Sequence, residues 1–232
     1  MLLITLDNHK IVSKRRRLCT AAYFTVAYRS IREVSSCCSV DPGQEYETRM
    51  VNFGKTMTKS FLYFAYGSNL LTQRIHINNP SAVRKDIGKL MDYRLDFGQP
   101  FSKKWDGCPA TVVPHTGKHV WGSIWEIDHA NISDLDRQEG VPQNIYFPIQ
   151  VSIQTESGKT YNCRSYQLCK TPEAEEVLPP ERQPSQIYLD VIIKGAIESG
   201  LPTSYIEELK RIPNNGSKGN LETPISFPSE FT

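Results

Sequence analysis

The chain has 232 residues, of which 39% are hydrophobic and 10% aromatic. This composition is sufficient for a buried core in one large domain or two small ones. The net charge is only +2, and no basic stripe with interleaved aromatic residues follows residue 60, so nucleic-acid binding is not expected. No stretch approaches the roughly 20 apolar residues of a membrane-spanning helix, so no membrane partner is expected either.

The first 60 residues differ from the rest in charge. They contain 10 Lys and Arg against 5 Asp and Glu, a net +5, whereas residues 61–232 contain 17 against 20, a net −3. This pattern predicts a basic, disordered leader over residues 1–60. A mitochondrial transit peptide is the alternative for this Arg- and Ser-rich segment, although Asp7 and Glu33 count against it. Met50 and Met57 are candidate alternative start sites.

The cysteines follow neither a disulfide framework nor a Cys-x-x-Cys spacing. They are Cys19, Cys37, Cys38, Cys108, Cys163 and Cys169. Thiols without such a framework are typical of reducing compartments, and the N-terminus lacks the basic-then-apolar order of a secretory signal. The sequence therefore predicts a cytoplasmic location, with mitochondrial import as the alternative if the leader is a transit peptide.

The first half of the ordered body predicts strands and one short helix. Phe61–Tyr66 is a strand, and a helical pattern follows from Leu70 to about Ile77. Met91–Phe97 alternates apolar and charged residues, as a half-buried strand does. Ala110–Val113 and Val120–Ile127 are two further strands, which the turn-like residues 114–118 separate.

The second half predicts three helices and two more strands. The helices are Asn131–Gln138, closed by Gly140, then Pro184–Ser199, ended by Gly200, and Pro202–Ile212. The strands are Tyr146–Gln154 and Tyr161–Leu168, which flank a Glu-Ser-Gly-Lys turn. A glycine just past the last helical turn is a favoured C-terminal cap, which supports the first two helix ends.

Short connections between most strands favour antiparallel pairing. The predicted class is therefore α+β, with a small mixed or antiparallel β-barrel of five to six strands and flanking helices. We expect residues 61–212 to form one domain. Residues 213–232 are rich in Pro, Gly, Ser and Asn and predict a flexible tail.

The Gly67-Ser68-Asn69 segment is the first candidate for chemistry. A strand that stops here and enters a helix leaves backbone N–H groups unpaired, and these can bind an anionic or developing-oxyanion oxygen. Alternatively, Ser68 or Asn69 only caps the helix. The segment matches no phosphate-binding loop, and Ser68 does not lie in a Gly-x-Ser-x-Gly elbow, so a nucleophilic role for Ser68 is not expected.

Glu139 is the second candidate. It is an acid in the last turn of a predicted helix, where the helix dipole disfavours negative charge and can raise the carboxyl pKa, which suits a general base. The alternative is a solvated surface glutamate, and neighbouring Asp136 and Arg137 are expected to face solvent. His115 and His119 lie in a turn-like segment without a nearby third ligand, so no metal site is expected there.

Five motifs in order give the chain a family resemblance. They are Phe61-Leu62-Tyr63-Phe64-Ala65-Tyr66-Gly67-Ser68-Asn69-Leu70, Leu95-Asp96-Phe97-Gly98, Val120-Trp121-Gly122, Leu135-Asp136-Arg137-Gln138-Glu139-Gly140-Val141 and Cys163-Arg164-Ser165-Tyr166. Each motif is weak alone, but the ordered set is specific. Across residues 60–212 the chain resembles the gamma-glutamylcyclotransferase family.

The resemblance implies a small mixed β-barrel and a lyase-type enzyme of glutathione metabolism. Such an enzyme cyclises small-molecule γ-glutamyl-amino acids to 5-oxoproline and a free amino acid without a cofactor. By matched position, Glu139 is implied as the general acid/base. The implied substrate-binding residues are Tyr63, Phe64, Ala65, Tyr66, Gly67, Ser68 and Tyr188. Family members are often dimers, so a homodimer is also compatible with the resemblance.

Two alternatives remain beside this interpretation. A cyclotransferase of the same fold could act on γ-glutamylamines or on glutathione, although such relatives tend to differ where this chain has Ser68-Asn69-Leu70. A non-catalytic metabolite-binding protein could retain the fold, although it would not need an acid at position 139.

Overall fold

The computed structural model describes residues 59–219. Almost all of the predicted basic leader, and residues 220–232 of the predicted tail, therefore lie outside the described residues. Residues 213–219 are described and hydrogen-bond to the body: the Asn215 amide donates to the Asp106 carbonyl at 2.8 Å, and the Ile187 N–H donates to the Ser217 carbonyl at 3.3 Å.

Five strands form a closed barrel in the order β1-β3-β2-β4-β5. They are β1 Ser60–Ala65, β2 Val83–Phe97, β3 Ala110–Asp128, β4 Tyr146–Gln154 and β5 Thr160–Leu168. Neighbouring strands are antiparallel except β1 and β5, which pair in parallel where Tyr63 lies opposite Arg164 and so close the barrel. The predicted α+β class with a small mixed barrel is confirmed.

Four α-helices flank the barrel in residues 59–219. They are α1 Thr72–Ile75, α2 Ile132–Gln138, α3 Gln186–Ser199 and α4 Thr203–Lys210, with 3-10 turns at Ser68–Leu70, His129–Asn131, Val141–Gln143 and Pro180–Arg182. The prediction of one helix from Leu70 to Ile77 was wrong, because Leu71 adopts an extended conformation that separates a 3-10 turn from the short α1. The predicted helix end at Gly140 is confirmed by its left-handed φ of 71°.

The predicted turn between residues 114 and 118 is a bulge inside one long strand. Met91 pairs with His119 and Tyr93 pairs with Pro114, so four residues of β3 bulge out opposite Asp92. Both flanks pair with the same strand, β2, and therefore continue in one direction. A bulge and a turn have the same local composition, and only the common partner distinguishes them.

Successive residues of β1 face two different cores, as the period of two in a strand requires. Phe64 belongs to the larger core, which contains the apolar face of α3. Tyr63 and Ala65 belong to the smaller core, which also contains Leu135 of α2. β1 thus anchors both helices that border the candidate site.

Helix α3 packs directly on the backbone that follows the β1 turn. A Cβ atom on Gly195 would lie 2.5 Å from the backbone nitrogen of Leu71, so only glycine allows this approach. The Ser199 hydroxyl donates to the Leu70 carbonyl at 3.3 Å. These contacts fix the position of residues 67–71. Among the described residues, no helix is long and apolar enough to cross a membrane.

Candidate active site

One cavity of about 570 Å³ opens where the turn after β1 faces the end of α2. Its walls come from the turn, α1, the loop between β2 and β3, the residues after α2, strands β4 and β5, and the start of α3. The residues that line it include Tyr63, Tyr66, Gly67, Ser68, Asn69, Arg74, Lys104, Gln138, Glu139, Tyr146, Tyr166 and Tyr188.

Glu139 lies just after the last turn of α2 and reaches this cavity. Its backbone N–H donates to the Leu135 carbonyl at 3.0 Å, and Leu135 is fully buried in the smaller core. The side chain is held from the opposite wall, where Asn69 Nδ2 donates to Glu139 Oε1 at 2.9 Å. The carboxylate therefore has a fixed position between α2 and the β1 turn.

Asn69 links the acid to a tyrosine. Its Nδ2 also donates to the Tyr63 hydroxyl at 3.0 Å, while its Oδ1 accepts from Gln138 Nε2 at 3.0 Å. Asn78 Nδ2 in turn donates to Gln138 Oε1 at 3.0 Å. Because both ends of the Asn69 amide are bonded, its donor group has one orientation, and that orientation points at Glu139.

Burial raises the pKa of Glu139 from 4.5 to about 7, because desolvation disfavours the charged form. Positive charge on Arg74 and the hydrogen bonds from Asn69 and Gln138 oppose this effect in part. The sequence predicted a raised pKa from the helix dipole, whereas burial is the main cause in the structure. A carboxyl with a pKa near 7 can both accept and donate a proton at neutral pH.

We expect the stability of Glu139→Gln relative to wild type to increase as pH rises. The folded-state pKa lies above the unfolded one, so the native state binds more protons and wild-type stability falls as pH rises from about 4.5 to 7. The free energy of unfolding of the variant, relative to wild type, should therefore increase by about 2 kcal/mol between about pH 5 and pH 8. Urea titrations of both proteins across this range measure the difference, and a pH-independent difference would contradict the raised pKa.

The prediction that Asp136 faces solvent was wrong, whereas the exposed position of Arg137 is confirmed. Asp136 Oδ1 accepts from Arg164 at 2.6 Å and also from the Tyr166 hydroxyl. Both partners belong to β5, so these bonds tie α2 to the barrel. Since Glu139 follows three residues later, this tie helps to fix the carboxylate.

The turn after β1 lines the same cavity with Gly67, Ser68 and Asn69. The N–H groups of Leu70 and Leu71 donate to the carbonyls of Gly67 and Ser68 at 3.0 and 3.2 Å. Within residues 59–219, no backbone carbonyl accepts from the N–H groups of Ser68 or Asn69. A 3-10 turn leaves its first amides unpaired in this way, and such amides can stabilise an oxyanion.

Tyrosine side chains form much of the remaining wall. The Tyr66 hydroxyl donates to the Tyr166 carbonyl at 2.6 Å, and the Tyr188 hydroxyl accepts from the Ala110 N–H at 3.2 Å. Burial raises the pKa of Tyr188 to about 12 and that of Tyr66 well above 10. These hydroxyls stay neutral near pH 7, so they provide shape and hydrogen bonds, and Glu139 remains the titrating group.

The structure gathers six of the eight predicted site residues around the cavity. They are Tyr63, Tyr66, Gly67, Ser68, Glu139 and Tyr188. The other two, Phe64 and Ala65, are fully buried in the larger and smaller core, respectively. Their side chains do not line the cavity, so their predicted contact with substrate lacks support from the structure.

Sequence reasoning missed three polar groups of the cavity: Asn69 as the partner of the acid, Gln138 and Arg74. For Asn69 the sequence predicts a helix cap or a turn whose backbone N–H groups bind an oxyanion, and neither prediction involves the contact of its side chain with Glu139. The position of Asn69 next to the predicted loop was the one available signal. Arg74 gave no signal, because a basic residue in a short helical pattern usually faces solvent. Within the described part of the chain, no group of three or more His, Cys, Asp or Glu side chains could hold a metal ion.

The chain that forms this cavity is similar to proteins of known family. A model of the AIG2-like family matches residues 119–209. Gamma-glutamylcyclotransferase of Bos taurus is 45% identical over 184 residues, which cover 76% of this chain and 94% of that protein. Gamma-glutamylcyclotransferase of Homo sapiens is 43% identical over 170 residues, which cover 72% of this chain and 86% of the human protein.

A solved structure of a gamma-glutamyl cyclotransferase has the same fold. It superposes with a TM-score of 0.64 at 40% identity and covers 75% of this chain and 96% of its own. The matched residues of this chain cover 86–96% of the length of these three proteins. On these identities and coverages, the chain belongs to the gamma-glutamylcyclotransferase family.

Proposed function

We propose that this protein is a gamma-glutamylcyclotransferase, which converts γ-glutamyl-amino acids to 5-oxoproline and a free amino acid. The observation that carries the proposal is the position of Glu139 in the cavity. Its carboxyl has a pKa of about 7 and faces a turn in which the Ser68 and Asn69 N–H groups have no backbone carbonyl partner within residues 59–219. A base and an oxyanion site in one cavity are what an intramolecular acyl transfer needs.

The reaction needs no nucleophile from the protein, because the α-amine of the substrate attacks its own γ-carbonyl. That amine is an ammonium ion near neutral pH and must first lose a proton. Glu139 is the base in this proposal. With an ordinary pKa of about 4 it would be a poor acceptor, whereas a pKa of about 7 is closer to that of an amine and makes the proton transfer less unfavourable.

Attack of the amine forms a C–N bond and places negative charge on the former carbonyl oxygen. The amides of Ser68 and Asn69 are the proposed donors to this oxyanion. One preorganised donor of this kind contributes about 10²–10³-fold to the rate. Since the donors are backbone groups, the serine hydroxyl itself is not required for this step.

Collapse of the tetrahedral intermediate breaks the bond to the leaving amine. Glu139 returns the proton that it took, and the second proton lost by the attacking nitrogen also ends on the leaving group. The products are 5-oxoproline and a free amino acid in its ammonium form. The tyrosine wall holds the flexible γ-glutamyl chain in the folded geometry that cyclisation requires. This lowers the entropic part of the barrier by an amount on the order of several kcal/mol.

The test is release of 5-oxoproline by the purified full-length chain from three substrates: γ-glutamyl-alanine, glutathione and a γ-glutamylamine. We expect turnover of γ-glutamyl-alanine to exceed that of the other two. Preferred turnover of glutathione or the γ-glutamylamine would replace the proposed substrate class with one of the alternatives. Binding of γ-glutamyl-alanine without any 5-oxoproline would instead indicate a non-catalytic binding protein.

We also propose that residues 61–212 carry this activity, in the cytoplasm and as a homodimer. Cys108, Cys163 and Cys169 are free thiols, which is compatible with a reducing compartment. Deletion of residues 1–57 should leave turnover unchanged, and light scattering should give twice the chain mass. Loss of activity on deletion would contradict the assignment of the activity to residues 61–212. Import into mitochondria would contradict the cytoplasmic location, and a monomeric mass would contradict the homodimer.

A further inference from the structure

Arg74 is a buried cation in the wall of the cavity. The residue is 7% exposed, and it lies on α1. Within residues 59–219, its buried Nε and Nη1 atoms donate to no hydrogen-bond partner, and Arg74 forms no ion pair with an acidic side chain. Burying an unpaired guanidinium costs free energy, and a bound anion offsets that cost.

Arg74 lines the same cavity as Glu139 after α2, Tyr188 at the start of α3 and Lys104 in the loop between β2 and β3. Its positive charge opposes the effect of burial on the pKa of Glu139 and of Tyr188, and it adds to burial in lowering the pKa of Lys104. A ligand in the cavity would therefore meet the guanidinium.

The substrate supplies an anion at this position. In a γ-glutamyl group the α-carboxylate is attached to the same carbon as the α-amine. If Glu139 takes a proton from that amine, the substrate carboxylate must lie close to the ionised Glu139. A carboxylate that enters the cavity beside Glu139 loses hydration and lies near a second acidic group. A cation next to the substrate carboxylate offsets both costs.

We propose that the Arg74 guanidinium binds the α-carboxylate of the γ-glutamyl head and thereby selects substrates that carry it. The planar guanidinium has parallel N–H donors that match a carboxylate in a bidentate geometry. The carboxylate of the acceptor amino acid is less suited to this site. It lies four bonds from the attacking nitrogen in the transition state, whereas the head carboxylate lies two bonds away.

This inference rests on the proposed function, and the experiment separates the two. The substrates are γ-glutamyl-alanine, its analogue with the head α-carboxylate converted to a carboxamide, and γ-glutamyl-alaninamide, which is changed on the acceptor side alone. Release of alanine or alaninamide gives kcat/KM for wild type, Arg74→Gln and Arg74→Lys. Arg211→Gln removes a cation from the exposed end of α4 and is the matched control.

We expect wild type and Arg211→Gln to prefer the head carboxylate over the carboxamide by about 10²-fold. Arg74→Gln should lose about 10²-fold on γ-glutamyl-alanine and should no longer distinguish the two heads. Arg74→Lys should recover part of the preference, because it keeps the charge but not the planar fork. The ratio between γ-glutamyl-alanine and γ-glutamyl-alaninamide should be the same in all four proteins.

Calorimetric binding of 5-oxoproline provides a readout that does not depend on turnover. Arg74→Gln should weaken this binding about 10²-fold and leave binding of 5-oxoprolinamide unchanged. An equal loss on all substrates, or a changed acceptor ratio, would overturn the inference about Arg74 alone. A wild-type protein that releases no alanine would refute the proposed function, and the product-binding comparison would still test Arg74.

Discussion

Glu139→Gln should lose about 10²–10⁴-fold in kcat on γ-glutamyl-alanine near pH 7.5, with little change in KM. The amide has nearly the same shape as the carboxyl and can still accept the hydrogen bond that Asn69 donates at 2.9 Å. It cannot take a proton from the substrate ammonium. The change therefore removes the proposed proton acceptor without removing the contact that fixes its position.

Release of 5-oxoproline under steady-state conditions measures this loss. Glu156→Gln is the matched control, since Glu156 lies exposed in the turn between β4 and β5. Calorimetric binding of 5-oxoproline should remain within about 3-fold of wild type, because a general base contributes little to ground-state binding. Wild-type turnover in Glu139→Gln would eliminate Glu139 as the base.

Asn69→Asp should have the second-largest effect, through the ionisation of Glu139. The substitution replaces the 2.9 Å donor to Glu139 with a second carboxylate. Two carboxylates at this distance cannot both ionise near neutral pH, so they share a proton and the upper pKa of the pair rises. The acidic limb of kcat/KM should move up by at least about one pH unit, with a loss of about 10–10²-fold near pH 7.

The pH profiles of wild type, Asn69→Asp and Asn78→Asp test this expectation. Asn78 is an exposed residue that donates to Gln138 rather than to Glu139, so Asn78→Asp introduces the same charge one residue further along the network. Its acidic limb should move by less than half as much. Equal shifts in both variants would indicate a general charge effect, and an unshifted limb in Asn69→Asp would show that Asn69 does not control the base.

Local signals in the sequence predicted the barrel strands well where the pairing register is uninterrupted, as between β4 and β5. The predicted strand Tyr146–Gln154 agrees with β4 at both ends, and the turn before β5 has the expected glycine with a φ of 79°. The prediction failed at residues 114–118, where the strand continues past a bulge because both flanks pair with β2. Pairing over such a distance along the chain is not encoded in local composition.

The same division applies to the candidate site. Glu139 and the Tyr66-Gly67-Ser68 turn were identifiable from the ordered motifs, because each has a distinctive position beside a helix end or a strand end. The role of Arg74 and the contact of the Asn69 side chain with Glu139 were not, because both depend on neighbours that are distant in sequence. Asp136 was predicted to face solvent for the same reason: its partner Arg164 lies 28 residues away.

The sequence by itself determined the residue types and their order: a strand that ends in Gly-Ser-Asn, an acid just before a helix-capping glycine, and the family that shares them. Only the tertiary structure decided how these groups meet. Closure of the barrel by β1 and β5 brings the turn after β1 opposite the end of α2, and α3 packs on the turn from the other side. The physical reason is burial. Enclosure by these elements raises the pKa of Glu139 to about 7 and buries Arg74, whose Nε and Nη1 atoms have no partner among residues 59–219, and neither property exists in the extended chain.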